Sequence, residues 1–161
     1  MISELYNFQK SYLFQILQNI PEEEFFKNEP NNVNSPGWIV GHLIVEIQDI
    51  FNYLETQIEI LPTEWFLYFK GGKTTEYSKF INSLTKKDLI DTFEFRYDFL
   101  LKTYSELSEQ KKQSKHPSKM FSEIYTNIDA WIVHHLITHL AVHIGNITIW
   151  KKINNIDVQG V

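Results

Sequence analysis

The sequence predicts an all-α protein that folds as a single four-helix bundle, and three observations lead to this prediction. Apolar residues recur at three- and four-residue spacing in four stretches, each stretch begins with a helix start signal, and none shows strand-like alternation. The 161 residues are 43% hydrophobic, enough for one domain with a core that buries roughly 70% of the unfolded surface. Four amphipathic helices in one domain, residues 1–161, most simply pack as a bundle.

The first two predicted helices have clear beginnings and ends. The first follows Ser3 and stops at Pro21, because proline cannot continue a helix. The second begins at Ser35, an N-cap residue followed by Pro36 at the first helical position, and its apolar periodicity continues to Leu54.

The third and fourth predicted helices each begin with a Thr-x-x-Asp sequence that resembles a capping box. Thr85 to Asp88 opens the third helix, whose apolar positions continue to Leu107. Thr126 to Asp129 opens the fourth helix, which is long and reaches about Ile153.

The connection between the second and third helices is unusually long. Residues 58–84 make a connection of about 27 residues, whereas antiparallel bundle neighbours are joined by a handful. A crossing of the bundle explains the length, and it places helices two and three parallel to each other. The connection also carries an aromatic stretch that either covers one edge of the bundle or lines the mouth of a site: Trp65, Phe66, Tyr68 and Phe69.

The composition excludes several classes of function. The chain has no cysteine, so a disulfide framework, a thiolate nucleophile and a thiolate metal site are excluded, and any thiol used in a reaction comes from outside the chain. The net charge is -5 and no Lys/Arg stripe is present, which argues against nucleic acid as a partner. No secretion signal and no uninterrupted apolar span is evident, so we expect a cytoplasmic protein without a membrane partner.

Histidines provide the main functional signal. Four of the six occur between residues 134 and 143, and helical spacing places His135, His139 and His143 on one core-facing stripe. His134 is expected to face solvent, and His116 is expected to lie in a polar surface loop. Several buried imidazoles require partners, and a divalent cation satisfies two of them at once. Because His135 and His143 are about 12 Å apart along a helix, only His135/His139 or His139/His143 can share an ion.

A third ligand is expected from the second helix, where His42 follows Gly41, a residue that permits close approach of a neighbour. The position of each histidine along the bundle axis decides which pair His42 joins. A crossing connection brings His42 level with His139 and His143, whereas a simple up-down-up-down order favours His135 and His139. The length of the 58–84 connection favours the crossing.

Two motifs resemble the DinB-like (YfiT-like) metalloenzyme family. They are Pro36 to Leu43, read as PGWIVGHL, and the later pattern His139-x-x-x-His143-x-Gly145-Asn146. The resemblance covers nearly the whole chain in helix order. It implies an up-down-down-up four-helix bundle, a divalent metal held by His42, His139 and His143, and a homodimer. Members of the family that are characterised as enzymes look like thiol-dependent transferases or isomerases that use bacillithiol, mycothiol or glutathione.

The sequence departs from the family pattern at two positions. Asn146 stands where glutamine is frequent, and Ile144 stands where arginine is frequent, which removes an anion contact. Asparagine keeps the side-chain amide at this position, so Asn146 is a candidate for a hydrogen bond to a metal ligand or for a contact with a cofactor. Glu46, one turn after His42, is the candidate proton acceptor or general base.

The expected function is a metal-dependent S-transferase or hydrolase that acts on a small molecule, with a low-molecular-weight thiol as cosubstrate. Zinc or nickel suits three histidines best, while iron, copper and manganese are alternatives. A second hypothesis is a non-catalytic bundle that binds metal or dimerises.

Overall fold

The protein is all-helical, as predicted. A computed structural model describes residues 1–27, 33–70, 80, 83–119 and 121–156. Every regular element in these ranges is a helix, and no strand occurs among them. Gly71 and Gly72, which follow the aromatic stretch, lie outside the described residues.

The described chain contains both long helices and short helical segments. Among the described residues, the 3₁₀ turn Phe121–Glu123 precedes the last long helical rod, and the π-helical turn His134–His139 lies within that rod. The α-helices of the described chain are α1 Ile2–Gln18, α2 Glu22–Phe25, α3 Pro36–Glu46, α4 Gln48–Tyr53, α5 Thr63–Phe69, α6 Lys86–Glu106, α7 Glu109–Lys112, α8 Ile128–Val133 and α9 Leu140–Ile153.

The predicted helix starts are correct at α3 and α6. The Ser35 hydroxyl accepts the amide proton of Trp38 at 3.2 Å, which satisfies one of the free amides of the first turn. At α6 the Thr85 hydroxyl accepts the Asp88 amide at 3.1 Å, and the Asp88 carboxylate accepts the Thr85 amide at 3.0 Å. This reciprocal arrangement is a complete capping box.

The last helical rod begins one residue later than the sequence predicts. Asn127, not Thr126, is the N-cap residue of α8, and its side-chain oxygen accepts the Ala130 amide at 2.9 Å. Asparagine is at least as good an N-cap as threonine, because its carbonyl oxygen reaches the free amide of the third helical residue.

Both helices that carry site histidines deviate from a regular α-helix. The second predicted helix is interrupted at Ile47, between α3 and α4. The fourth contains the π turn, in which i→i+5 bonding adds a residue to the turn. A π turn rotates everything beyond it by about 100° relative to a continuous α-helix, so face assignments made for a regular helix do not hold across it.

Contacts between α1 and α6 run in opposite order along the two helices. The Tyr6 hydroxyl donates to Asp98 at 2.7 Å, and the rings of Phe14 and Phe93 are 6.2 Å apart. At the far end, Lys86 Nζ donates to the carbonyl oxygen of Leu17 at 2.7 Å. The two helices are therefore antiparallel.

The helices that carry the histidines also run in opposite directions. Ile39 lines one cavity together with Ile149, while the ring of Tyr53, further along the chain, contacts that of Trp131 at 6.0 Å. This arrangement places the beginning of α3 beside the middle of α9. Residues near position 42 thereby face the residues around positions 139–143.

Residues 128–153 form one 26-residue helical rod that, by length and composition alone, could span a membrane. The expectation that no segment approaches such a span is therefore corrected. The rod packs against α1 and α3, and Ile132, Leu140 and Trp150 are fully buried in the core. A core helix of a soluble protein meets the same length and hydropathy criterion.

Candidate metal centre

Three histidines from two antiparallel helical rods meet in one half-buried cluster. His42 lies on α3, His139 ends the π turn, and His143 lies on the first turn of α9. One ring nitrogen of each lies within 4.8 Å of the others. The structure thus brings together the His139/His143 pair with His42, and His135 is not part of this cluster.

The spacing within the cluster suits a metal ion. The Nε2 atoms of His139 and His143 are 3.1 Å apart. With bonds of about 2.0–2.1 Å, two nitrogens on one zinc ion lie roughly 2.9 Å apart at a right angle and 3.4 Å apart at the tetrahedral angle. The observed separation falls between these values, so the His139/His143 pair fits a divalent ion, and the His42 ring nitrogen lies within 4.8 Å of both.

The His42 ring is oriented by α5. Its Nδ1 atom lies 2.9 Å from the carbonyl oxygen of Phe69, and because a carbonyl only accepts, Nδ1 carries the proton and Nε2 keeps its lone pair. Trp38 stacks on the same ring at 5.0 Å and 9°, and its indole N–H donates to the Tyr68 carbonyl at 3.0 Å. Two consecutive carbonyls of α5 therefore hold one wall of the site.

Gly41 makes the approach of α5 to the site sterically feasible. A Cβ atom at this position would lie 2.2 Å from the Phe69 ring, so only glycine fits. The sequence prediction that Gly41 permits close approach is confirmed. Sequence reasoning missed the Phe69 and Tyr68 carbonyls, because it considered only the side chains of the aromatic stretch. The side chains of Trp65, Tyr68 and Phe69 are buried in the core.

Burial keeps two of the cluster imidazoles neutral. Desolvation, with smaller contributions from neighbouring histidines, lowers the pKa of His139 to about 3 and that of His143 to about 4. Both side chains therefore retain a lone pair at neutral pH. The Nδ1 atoms of both rings are buried and have no hydrogen-bond partner among the described residues.

Glu46 lies at the edge of the cluster. Its Oε1 atom is 3.9 Å from His42 Nδ1, too far for a hydrogen bond, so the acceptor for His42 is the Phe69 carbonyl. Asn146 is exposed and lines a surface cavity with Ile39 and Ile149. The role suggested for Asn146 rests on the sequence resemblance alone.

Of the three histidines outside the cluster, His134 and His116 are more buried than predicted, whereas His135 is buried as its place on the core-facing stripe implies. His134 is half-buried, and its ring lies 5.3 Å from that of Tyr125, because the π turn changes which face each residue occupies. Desolvation lowers the pKa of His134. His116 is 7% exposed and packs edge-on against Trp131 at 4.2 Å. His135 is buried, and its Nδ1–H donates to the Trp131 carbonyl at 2.9 Å.

By its fold and its site, the protein is an all-helical protein with a candidate three-histidine metal site. The chain belongs to the DinB superfamily, whose family model matches residues 6–147. A crystal structure of a Streptococcus pneumoniae protein from a structural genomics consortium is similar, with a TM-score of 0.61 at 15% identity over 94% of this chain and 89% of that one. This similarity concerns the fold. No curated protein matches the chain.

Proposed function

We propose that the protein binds a divalent metal ion through His42, His139 and His143 and uses it to transform a small molecule. The observation that carries this proposal is the convergence of three ring nitrogens within 4.8 Å. Proteins of this family generally bind metal. Zinc or nickel suits the all-imidazole ligand set best, and iron, copper and manganese are alternatives.

We also propose that the long helices form a four-helix bundle of up-down-down-up order. The antiparallel contacts of α1 with α6 and of α3 with the last rod support it. Lys151 on α9 donates to the carbonyl of Ile16 at 3.0 Å, and the π turn, earlier in the same rod, also packs against α1. These contacts support a parallel pairing of α1 with α9.

The proposed chemistry follows from an open coordination sphere. Three protein ligands are typical of catalytic sites, and a metal ion bound there lowers the pKa of a coordinated water or thiol. The protein residues hold and shield this position: the Phe69 carbonyl fixes the His42 ring, and the Trp38 ring covers one side of it. Glu46, whose Oε1 atom lies 3.9 Å from His42 Nδ1, is the candidate proton acceptor for a ligand that does not itself pair with this carboxylate.

The reaction class we propose is thiol-dependent S-transfer, with hydrolysis as the alternative. The chain has no cysteine, so the sulfur belongs to a low-molecular-weight thiol cosubstrate. The same absence simplifies the assay: a thiol reagent added to the reaction reports only the cosubstrate. Consumption of the thiol in the presence of an electrophile, dependent on protein and metal, is the expected result.

A metal-content measurement on protein purified without a polyhistidine tag tests the site directly. We expect about one metal ion per chain in the wild type, and loss of it in His42→Ala and His139→Ala, because two imidazoles alone hold an ion weakly. His135→Gln is the matched control, since His135 lies on the π turn but outside the cluster. Unchanged metal content in both alanine variants contradicts the proposal.

A non-catalytic dimerisation bundle is the second candidate, and the outer face of α9 favours it. Val142, Ile149 and Ile153 are 58%, 55% and 50% exposed, and a Cβ on Gly145 would meet nothing within 4 Å. An exposed apolar helix face of this kind is typical of an interface. Sedimentation equilibrium with Val142→Lys as the disrupting variant tests a homodimer through this face.

We also propose a cytoplasmic location and, in keeping with the net charge of -5, no nucleic-acid or membrane partner. Fractionation of cells that express the protein tests the location.

A further inference from the structure

A cavity of about 290 Å³ borders the histidine cluster. Two of the residues that line the cavity form its border with the histidine cluster. Glu46 Oε1 lies 3.9 Å from His42 Nδ1, and the His135 ring lies 5.2 Å from that of His139. A ligand in this cavity therefore lies next to the proposed metal position.

Aromatic rings form much of the cavity wall. Those of His116 and Trp131 meet edge to face at 4.2 Å, and those of Tyr53 and Trp131 are 6.0 Å apart. The His116 ring is held in place because its Nδ1 accepts the Ser118 amide proton at 3.0 Å. A cavity of this size with ring walls suits a single planar ring system. The wall rings are those of Tyr53, His116, Phe121, Tyr125 and Trp131.

The charged side chains that line the cavity leave one carboxylate unpaired. Lys70 Nζ pairs with Asp49 at 2.7 Å. Glu46 receives no hydrogen bond from the described residues, because the nearby His42 Nδ1–H donates to Phe69. The Glu46 side chain is only 23% exposed. A carboxylate that is largely withdrawn from water favours a ligand that brings a donor to it.

We propose that this cavity binds the substrate through a planar aromatic group that carries a protonated amine, with the Glu46 carboxylate as its acceptor. An ammonium group gains both the charge of Glu46 and the faces of the surrounding rings. A carboxylate at the same place lies beside an unpaired like charge and is disfavoured. The inference rests on the proposed function only in placing the bound ring next to a metal ion.

Three probes of nearly the same shape test the inference: 2-phenylethylamine, 2-phenylethanol and 3-phenylpropionate. Because a bound metal ion itself attracts anions, the first titrations use chelator-treated protein, in which Glu46 and the rings act alone. We expect the amine to bind at least tenfold more tightly than the acid by calorimetry. The indole N–H signal of Trp131, assigned with Trp131→Phe, is expected to shift in NMR spectra.

Two variants make the test specific. Glu46→Gln keeps the shape and removes the charge, so the preference for the amine over the acid is expected to fall below threefold. Glu106→Gln changes an exposed carboxylate at the end of α6 and is expected to leave the preference unchanged. Phe121→Ala removes a partly exposed wall ring and is expected to weaken all three probes equally.

Equal binding of amine and acid, a preference that survives Glu46→Gln, or no binding of any probe at millimolar concentration overturns the inference. The metal content of the same preparations before chelation separates this outcome from failure of the proposed function. Protein that holds no metal but binds the amine supports the cavity and refutes the metal site. Protein that holds metal but shows no preference for the amine supports the metal site and refutes the cavity inference.

Discussion

The Nδ1 atom of His42 donates a 2.9 Å hydrogen bond to the backbone carbonyl of Phe69, 27 residues further along the chain. This bond ties α3, which carries a proposed ligand, to α5 in the long connection. A backbone acceptor behind a histidine ligand fixes both the tautomer and the ring orientation. The site therefore depends on how α5 docks against Gly41.

Gly41→Ala tests this docking. The added methyl group would lie 2.2 Å from the Phe69 ring, so α5 must shift and the His42 bond must lengthen. We expect a loss of about 1–3 kcal/mol in the free energy of unfolding and a loss of roughly 10–100-fold in metal affinity. Urea denaturation and metal titration measure the two effects.

Gly145→Ala is the matched control for that substitution. It is also a helical glycine, but an added Cβ meets nothing within 4 Å. In the monomer we expect a gain of up to about 1 kcal/mol from helix propensity, with unchanged metal affinity. If Gly41→Ala behaves like Gly145→Ala, the docking of α5 does not position His42.

The stability of the metal-free protein is expected to fall as the solution becomes more acidic than pH 6.5. Burial lowers the pKa of His135 and His143 to about 4 and that of His139 to about 3. Between these values and 6.5 the unfolded chain binds protons that the folded chain does not. Each such histidine therefore removes at most about 1.4 kcal/mol per pH unit, and less at the half-buried His139 and His143, where solvent screens the charge. The loss ends below the folded pKa values.

Chemical denaturation of chelator-treated protein between pH 4 and pH 7.5 measures this dependence. His143→Gln, which does not titrate in this range, is expected to give a shallower slope than the wild type. A flat profile between pH 6.5 and pH 5 in the wild type contradicts the burial of neutral imidazoles.

Lys86 is expected to stabilise the carboxyl end of α1. Its Nζ donates to the carbonyls of Leu17 at 2.7 Å and Ile20 at 2.6 Å, and α1 has no basic residue in its own last turn. Desolvation lowers the pKa of Lys86. Lys86→Met leaves these acceptors without their charged donor, so we expect a loss of about 1.5–3 kcal/mol in urea denaturation.

The neighbouring lysine is the control for Lys86. Lys87 is 81% exposed on its side chain and pairs with Asp91 alone among the acidic groups of the described chain. Exposed ion pairs of this type contribute little to stability, because water and salt screen them. Similar effects of Lys86→Met and Lys87→Met would show that capping of α1 by Lys86 is unimportant.

Much of the fold followed from local sequence signals. The cap at Ser35 and the box at Thr85 and Asp88 involve residues within one turn, so hydrogen-bond chemistry alone locates these helix starts. Two features did not follow. The π turn and the break at Ile47 were not predicted from apolar spacing, because the local pattern remains compatible with a regular helix.

The sequence by itself determined that the protein is helical, that any thiol is external and that histidines are the candidate metal ligands. It left two pairs open, His135/His139 and His139/His143, because four-residue spacing makes both pairs neighbours on one helix. The length of the 58–84 connection favoured His139 and His143, and the tertiary structure brings these two rings beside His42, since the level and rotation of one helix against another depend on packing. The same packing brought Phe69, distant in sequence, to His42.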